Sequence, residues 1–171
     1  MRSPLRYDGG KGLLAPKLLP LIPEHRTYVE PFGGGASLLF AKEPSPVEVY
    51  NDLDDGLVTL FRVLRHPLLF RIFQRKVALT PYARSEFMEC RDSWQDCEGV
   101  EKAYRFFVAA RMSFGGTLSS KSWSRAITES ARGMSSTVSK WLSTVDSLPE
   151  IHERLRRVQV EKKDFREIIR D

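Results

Sequence analysis

Three features are scarce in this 171-residue sequence, and each absence excludes a class of protein. There are only two cysteines, Cys90 and Cys97, without a CxxC pair, so a disulfide framework is excluded and a reducing compartment is favoured. The three histidines are scattered and lack the spacing of a metal site. No apolar run approaches the roughly 20 residues of a membrane span, and the N-terminus has no apolar signal core. We therefore expect a cytoplasmic protein without a metal site.

What the sequence does contain is a normal globular composition with an uneven charge. It is 42% hydrophobic and 29% charged, and its length suits one domain with room for an inserted subdomain. The net charge of +5 comes from residues 62–140, which carry 14 basic and 7 acidic side chains. Residues 1–61 carry 6 basic and 8 acidic side chains, and residues 141–171 carry 7 of each. A basic middle segment indicates a polyanionic partner, although a solvated helical surface gives the same pattern.

Residues 27–37, TYVEPFGGGAS, have the pattern of a short strand, a glycine turn and the start of a helix. Glycines let the backbone adopt positive φ and let a ligand approach closely. A helix that begins after such a turn presents unpaired N–H groups and a partial positive charge, which suits a nucleotide-like or carboxylate-bearing ligand. A plain tight turn is the alternative, and Ser37 either caps the helix or faces water.

Residues 47–52 alternate like a second strand and end in Asp52, 19 positions after Gly33. At this offset an acidic side chain reaches the hydroxyls of a bound ribose. Gly33 and Gly35 fit the first two places of the dinucleotide fingerprint G-x-G-x-x-G, but the third place is Leu38. The pattern is therefore typical of adenosine binding rather than of dinucleotide binding.

Most of the remaining chain has helical periodicity. We expect helices over about 13–21, 54–65, 67 onward, 81–97, 100–114, 138–148 and 149–157. Thr80 and Pro81 predict a capped helix start, and Asp54 and Asp164 are placed to cap two other helices. Residues 158–161 alternate as a third strand.

Residues 114–139 differ from their surroundings because they are rich in Gly, Ser and Thr and poor in apolar side chains. This composition predicts a long mobile loop. Trp123 lies in this basic segment. Its ring either stacks on a base or inserts into DNA, or it folds back on the helices.

Four motifs occur in order along the chain: 7–11 (YDGGK), 28–35 (YVEPFGGG), 51–53 (NDL) and 164–165 (DF). Together they resemble the Dam-type (class alpha) DNA adenine-N6 methyltransferases. The resemblance implies an α/β fold, a partial Rossmann-like S-adenosylmethionine-dependent methyltransferase sheet with an inserted all-helical target-recognition subdomain. It implies a cofactor-binding core of residues 1–61 and 149–171 and a basic, DNA-binding insert of residues 62–148.

Carried over position by position, the resemblance implies S-adenosylmethionine as the cofactor and double-stranded DNA as the partner. Lys11 would lie at the amino-acid end of the cofactor, Asp52 would hold the ribose hydroxyls, and Asp164 would accept a hydrogen bond from the adenine amino group. The implied cofactor-binding residues are Tyr7, Lys11, Glu30, Pro31, Phe32, Gly33, Gly35, Asp52, Leu53, Asp164 and Phe165. The implied DNA-contacting residues are Arg111, Lys121, Trp123 and Arg125.

The family's catalytic signature, Asp-Pro-Pro-Tyr, is absent, because the sequence has no Pro-Pro pair. No catalytic residue is therefore assigned, and the resemblance implies the N-terminal portion of such an enzyme. This portion could be a truncated enzyme, a phage-related or restriction-modification remnant, or half of a split protein. We expect no methyl transfer by this chain alone. We also expect the first strand to be a sheet edge that is covered by self-association or by rearranged segments, or a fragment that is poorly stable. Two other hypotheses stay open, a non-catalytic DNA-binding module and a plain nucleotide-binding domain.

Overall fold

The computed structural model describes residues 1–7, 9–118 and 122–170. The strands are β1 (Thr27–Glu30), β2 (Val47–Asn51), β3 (Ser130–Ala131), β4 (Met134–Ser135) and β5 (Val158–Glu161). The helices are α1 (Ala15–Leu18), α2 (Ser37–Ala41), α3 (Asp55–Arg65), α4 (Pro67–Ala78), α5 (Arg84–Ser93), α6 (Gly99–Met112), α7 (Ser136–Leu155) and α8 (Phe165–Arg170). Across these residues, no helix combines the length and apolarity that spanning a bilayer would require.

A three-stranded parallel sheet in the order β1-β2-β5 brings the two ends of the chain together. Val29 pairs with Val49 across β1 and β2, and Tyr50 pairs with Val160 across β2 and β5. The central strand is buried, whereas β1 is hydrogen-bonded on one side only among the described residues. The three predicted strands are confirmed, and their carboxyl ends lie at one edge of the sheet, where parallel α/β sheets bind ligands.

The helix that follows β2 begins and packs as its sequence predicts. The Asp54 carboxylate accepts a hydrogen bond from the backbone N–H of Leu57 at 3.0 Å and so caps α3. The apolar stripe of α3 is buried and faces α6. The two helices approach so closely that a Cβ on Gly56 would lie 2.3 Å from the ring of Phe106. A helix of the predicted core is thus packed directly on a helix of the predicted insert.

One hydrophobic core runs through both predicted parts of the chain. It contains Leu39 and Val160 from the sheet region together with Phe73, Phe107 and Trp141 from residues 62–148. The mixed α/β class is therefore found, but no break in the core separates the insert from the sheet. The division at residues 62–148 stays a proposal.

The predicted helix break at Pro149 is wrong, because α7 runs through it from Ser136 to Leu155. Pro149 is exposed, so water can satisfy the carbonyl group that loses its helical N–H partner. The predicted capped start at Thr80 is also wrong. The Thr80 hydroxyl donates to the carbonyl oxygen of Lys76 at the end of α4, and it is also hydrogen-bonded to the hydroxyl of Tyr104. Helix α5 begins only at Arg84.

The expectation of one helix over 13–21 is corrected to a short α1 with a 3-10 turn on each side. Pro16 and Pro20 are the second residues of α1 and of the second 3-10 turn. A proline is tolerated in the first turn of a helical segment, whereas a continuous helix would need its missing N–H group.

The predicted loop over 114–139 contains regular structure, so neither that prediction nor an all-helical insert holds. Strands β3 and β4 are joined into a hairpin by a two-residue turn. The turn residues, Arg132 and Gly133, both have positive φ, as a type I′ turn requires. Earlier in the segment, Trp123 pairs antiparallel with Ser113. Sequence patterns did not predict these strands because each strand spans two residues, which is too short for an alternating pattern to be visible.

Candidate functional site

The glycine turn between β1 and α2 is tied to the end of β2 by two hydrogen bonds. The N–H of Gly33 donates to the carbonyl oxygen of Asn51 at 2.9 Å, and the N–H of Gly34 donates to the carboxylate of Asp52 at 2.8 Å. The same carboxylate accepts from the N–H of Asp54 at 3.0 Å through its other oxygen. Asp52, chosen from its spacing, therefore lies directly against the glycine turn.

The ring of Tyr50 explains why position 33 is a glycine. A Cβ on Gly33 would lie 2.2 Å from Cε2 of Tyr50, a distance that no real contact allows. The Tyr50 hydroxyl also donates to the carbonyl oxygen of Gly34, which has a φ of 51°. Burial, followed by the nearby acids Asp52 and Glu30, raises the pKa of Tyr50, so it stays neutral.

The turn offers a ligand fewer backbone donors than the sequence predicts. The N–H groups of Gly33 and Gly34 are used as described above, and that of Ala36 donates to the carbonyl of Gly33 at 2.8 Å. Helix α2 has only five residues, and its N-cap is Ala36 in the left-handed region, with no side-chain cap from Ser37. Ligand recognition here therefore depends on side chains more than on a helix dipole.

Residues 3–7, the N-terminal strap, lie across the glycine turn. The Ser3 hydroxyl donates to the carbonyl oxygen of Gly35, and Leu5 is buried against the core. The Tyr7 hydroxyl donates to the carboxylate of Asp54 at 3.1 Å, and its ring passes 3.8 Å from where a Cβ on Gly34 would be. The next residue of the YDGGK motif, Asp8, lies outside the described residues.

A cavity of about 160 Å³ lies between the strap and the glycine turn. It is lined by Tyr7, Gly9, Gly10, Lys11, Glu30, Phe32, Gly33, Gly34, Gly35, Ser37, Leu38 and Asp52. Seven of the eleven residues assigned to the cofactor are in this lining, and one cation faces two acids there. The arrangement can hold a zwitterionic ligand, because the cation suits a carboxylate and the acids suit a positive charge.

The carboxylate of Glu30 is the most deeply buried acid of this cavity. Its Oε1 atom accepts from the Tyr28 hydroxyl and from the N–H of Leu39, both at 2.8 Å. Burial raises the pKa of Glu30, while these two hydrogen bonds and the positive charges of Lys11 and Lys42 oppose the rise. A cationic group bound beside Glu30 would lower its pKa again.

Residues 163–165 reach the same site from the other end of the chain. The Asn51 side chain donates to the carbonyl oxygens of Pro31 at 3.0 Å and Lys163 at 2.9 Å, and it accepts from the N–H of Lys163. The rings of Phe32 and Phe165 are 5.2 Å apart. This chain end is thereby fixed beside the glycine turn.

Four of the assigned cofactor residues lie beside the cavity rather than in its lining. Leu53 is 62% exposed, and the Pro31 carbonyl is bonded to Asn51. Asp164 caps α8 by accepting from the N–H of Arg166 at 2.9 Å, and the ring of Phe165 contacts the exposed ring of Phe32.

Several residues of the site were missed from sequence. Gly9, Gly10, Gly34, Ser37 and Leu38 line the cavity, and each lies within three positions of a residue that was assigned. Asn51 is hydrogen-bonded to three backbone groups. The sequence feature that could have indicated this role is its position immediately before Asp52 at the end of a strand.

The four residues assigned to DNA are in very different environments. Arg111 is largely buried, and its guanidinium donates to the Thr144 hydroxyl at 2.5 Å. Trp123 folds back on the helices, with its ring 5.6 Å from that of Tyr82 and the Arg84 guanidinium 5.2 Å above it. Arg125 is exposed. Lys121 lies outside the described residues.

Residues 7–170 match the family model described as D12 class N6 adenine-specific DNA methyltransferase. No curated protein matches the sequence significantly. Methyltransferases of this family act on DNA and generally use S-adenosylmethionine. The match covers almost the entire chain and confirms the resemblance seen in the four motifs. The chain therefore belongs to the D12 class of N6 adenine-specific DNA methyltransferases.

Proposed function

We propose that residues 1–171 form the cofactor-binding part of a DNA adenine-N6 methyltransferase, with S-adenosylmethionine held in the cavity at the glycine turn. One observation carries this proposal. Asp52, Glu30 and Lys11 surround a single cavity, and Asp52 is itself bonded to the turn through Gly34. These side chains come from three separate stretches of sequence, so the cavity is a product of the fold rather than of one motif.

The charges in the cavity fit the charges of the cofactor. Lys11 would pair with the α-carboxylate, and Glu30 would accept from the α-ammonium group near the sulfonium. Asp52 would accept from the ribose hydroxyls, since each of its oxygens can accept more than one hydrogen bond. The bound cofactor supplies an electrophilic methyl group on a positively charged sulfur.

The adenine ring is too large to share the 160 Å³ cavity with the methionine end. Phe32 is 65% exposed and Leu53 is 62% exposed, so both offer apolar surface beside Asp52. We place the adenine there, with Phe165 at its side and the Asp164 carboxylate as an acceptor for its amino group.

Methyl transfer to DNA needs groups that this stretch of sequence does not contain. The target adenine must leave the duplex, and its amine must be held by acceptors beside the methyl group. With no Pro-Pro pair, the sequence lacks the Asp-Pro-Pro-Tyr signature that would supply them. We propose that residues 1–171 bind cofactor and double-stranded DNA, the latter through residues 62–148, but do not transfer the methyl group by themselves.

The open edge of β1 favours self-association. Among the described residues, β1 pairs only with β2, so its other row of N–H and C=O groups is available to a strand from a second copy. Light scattering should show a species larger than the 19.6 kDa monomer, with a fraction that rises with concentration. A monomer at every concentration would contradict this part of the proposal.

Calorimetry with S-adenosylmethionine tests the central proposal. We expect measurable binding to the full chain, and a loss of at least about tenfold in affinity, or about 1.4 kcal/mol, for Lys11→Ala and for Asp52→Ala. Lys17→Ala and Asp146→Ala change the same charges on exposed helical surfaces and should leave the affinity unchanged.

Two results would contradict the assignment. Wild-type affinity in Asp52→Ala would remove the ribose contact. Tighter binding of ATP than of S-adenosylmethionine would favour a plain nucleotide-binding domain. A filter assay for methyl transfer from labelled cofactor to DNA should stay at background, and a clear signal would disprove the inactivity of this chain.

A further inference from the structure

A second, larger concavity begins where the cofactor cavity ends. This groove has a volume of about 920 Å³ and lies between the N-terminal strap and the first half of α7. It shares Tyr7, Gly10, Gly35 and Ser37 with the lining of the cofactor cavity, so the two spaces adjoin. A polymer that enters the groove would pass beside the cofactor.

The groove is positively charged on both walls. Arg2 and Arg6 line it from the strap side, and Arg111 and Lys140 line it from the helical side. Among the described residues of its lining, Glu150 is the one acid. The hydroxyls along α7, such as those of Ser143 and Thr144, donate to backbone carbonyls of the same helix. Arginine and lysine groups therefore dominate what the groove offers to a ligand.

Arg111 is the least expected of these groups. Its Nε atom is fully buried and has no hydrogen-bond partner in the described part of the chain, and its Nη2 atom bonds only neutral oxygens, Thr144 Oγ1 at 2.5 Å and the Lys140 carbonyl at 3.4 Å. Burial, and then the neighbouring charge of Arg6, lowers the pKa of Arg111 to about 10. A buried cation without an anionic partner is costly, and a ligand that supplies the missing charge would remove part of that cost.

We propose that Arg111 and Arg6 together clamp one phosphodiester group of the DNA strand that runs along this groove. The inference rests on the proposed function, because it assumes that DNA is the polyanion that approaches the cofactor cavity. The planar guanidinium of Arg111 would bind the phosphate from the floor, and the exposed Arg6 would close over it from the strap. Such a contact fixes the register of the strand and is independent of the base sequence.

The clamp predicts opposite effects on stability and on binding. Arg111→Met removes a buried, unpartnered charge at similar volume, so the free protein should unfold at an equal or higher temperature. Arg6→Gln removes an exposed charge and should leave the unfolding temperature unchanged. Both changes should nevertheless weaken DNA binding.

Fluorescence anisotropy of a labelled duplex over a salt series is the test, using the full chain. Each variant should lower the affinity at low salt by about tenfold and reduce the slope of log K against log salt, and the two changes together should reduce that slope by about 0.9, the value for one phosphate contact. Arg71→Gln, an exposed arginine on α4 outside the groove, is the matched control and should change the slope far less. Cofactor affinity, measured separately by calorimetry, should change less than twofold in all three variants.

Several outcomes would overturn the clamp. A wild-type slope in both Arg6→Gln and Arg111→Met would do so, as would a wild-type chain that binds no duplex at low salt. If inorganic phosphate raises the unfolding temperature of the wild type but not of Arg111→Met, and DNA binding is unaffected by either variant, the groove holds a free anion instead. Should Arg111→Met misfold, Arg6→Gln alone decides the question. Failure of the wild type to bind cofactor would refute the proposed function without changing these DNA readouts.

Discussion

The hydroxyl of Tyr50 donates a hydrogen bond to the carbonyl oxygen of Gly34 at 2.7 Å, while its ring fills the space where Gly33 would carry a Cβ. A buried side chain of the central strand thus shapes the glycine turn from below. The Asp52 carboxylate holds the same turn from the side, through the N–H of Gly34. The turn is consequently a rigid part of the sheet edge before any ligand binds.

Gly33→Ala should destabilise the protein and abolish cofactor binding. Its Cβ would lie 2.2 Å from Tyr50, and overpacking of this kind costs about 1–3 kcal/mol. Gly12→Ala is the matched control, because its nearest neighbour would be the Ser37 hydroxyl at 3.9 Å. Thermal unfolding and calorimetry check both variants. Equal behaviour of the two would mean that Tyr50 can move aside.

Gly116→Ala should weaken cofactor binding even though Gly116 does not line the cofactor cavity. A Cβ there would lie 2.7 Å from the carbonyl carbon and oxygen of Arg6, which would displace the N-terminal strap and with it Tyr7. We expect a loss of about tenfold in the affinity for S-adenosylmethionine, measured by calorimetry, or about 1.4 kcal/mol.

The neighbouring Gly115→Ala is the control for Gly116→Ala. Both glycines have a positive φ, 73° for Gly115 and 81° for Gly116, so both alanines carry backbone strain. At Gly115, however, the nearest atom would be the Thr117 hydroxyl at 3.7 Å. If the two variants lose the same affinity, backbone strain rather than the strap is responsible.

Glu30→Gln should separate stability from cofactor binding. The folded-state pKa of Glu30 is raised above its ordinary value of 4.5. The carboxyl group therefore stabilises the fold fully at a pH below 4.5, and this stabilisation is lost as the pH rises through the folded-state pKa. A neutral amide avoids this loss, so the variant at pH 7 should be at least as stable as the wild type. It should bind S-adenosylmethionine about tenfold more weakly, by about 1.4 kcal/mol, because the ammonium group loses its anionic partner. Urea unfolding and calorimetry give the two readouts, and a variant that is clearly less stable at pH 7 contradicts the assigned pKa shift.

Glu48 should make the fold sensitive to acid. Its carboxylate is buried with Arg154 and Lys42, and although burial raises its pKa, hydrogen bonds from both cations outweigh that effect and lower it. The stability that Glu48 contributes is therefore present above the ordinary value of 4.5 and is lost as the pH falls through the lower folded pKa.

The matching variant is Glu48→Gln, measured by urea unfolding between pH 7 and pH 3. At pH 7 it should lose about 3–5 kcal/mol of unfolding free energy, because both buried cations lose their carboxylate. Below pH 4.5 the difference from the wild type should shrink. The exposed Glu153→Gln should change little at any pH. A difference that stays constant with pH would disprove the lowered pKa of Glu48.

The sequence was informative where local chemistry decides the structure. The Asp54 cap, the start of α4 at Pro67 and the three parallel strands follow from spacing and side-chain type, and the structure has all of them. The position of Asp52 against the glycine turn also followed from its offset from Gly33. Each cap, helix start and individual strand depends on residues that are near one another in the chain, whereas the pairing of β2 with β5 does not.

The sequence was misleading where distant contacts decide. The Thr80 hydroxyl is drawn away from α5 by Tyr104, a residue 24 positions later. Trp123 folds onto Tyr82 and pairs with Ser113, so the fold-back alternative for its ring is found, although composition alone left the choice open. Similarly, the continuity of the core and the burial of Arg111 are properties of helix packing. No local pattern encodes them.

Helix α7 joins the two predicted parts of the molecule without a hinge. Its 20 residues, from Ser136 to Leu155, correspond to about 30 Å of continuous backbone, from the β3-β4 hairpin to the residues just before β5. Arg154, near its far end, is anchored to Glu48 inside the sheet region. A shift of the hairpin would therefore be passed along one continuous helix to the buried Glu48 of the central strand, so the hairpin and the sheet are mechanically coupled.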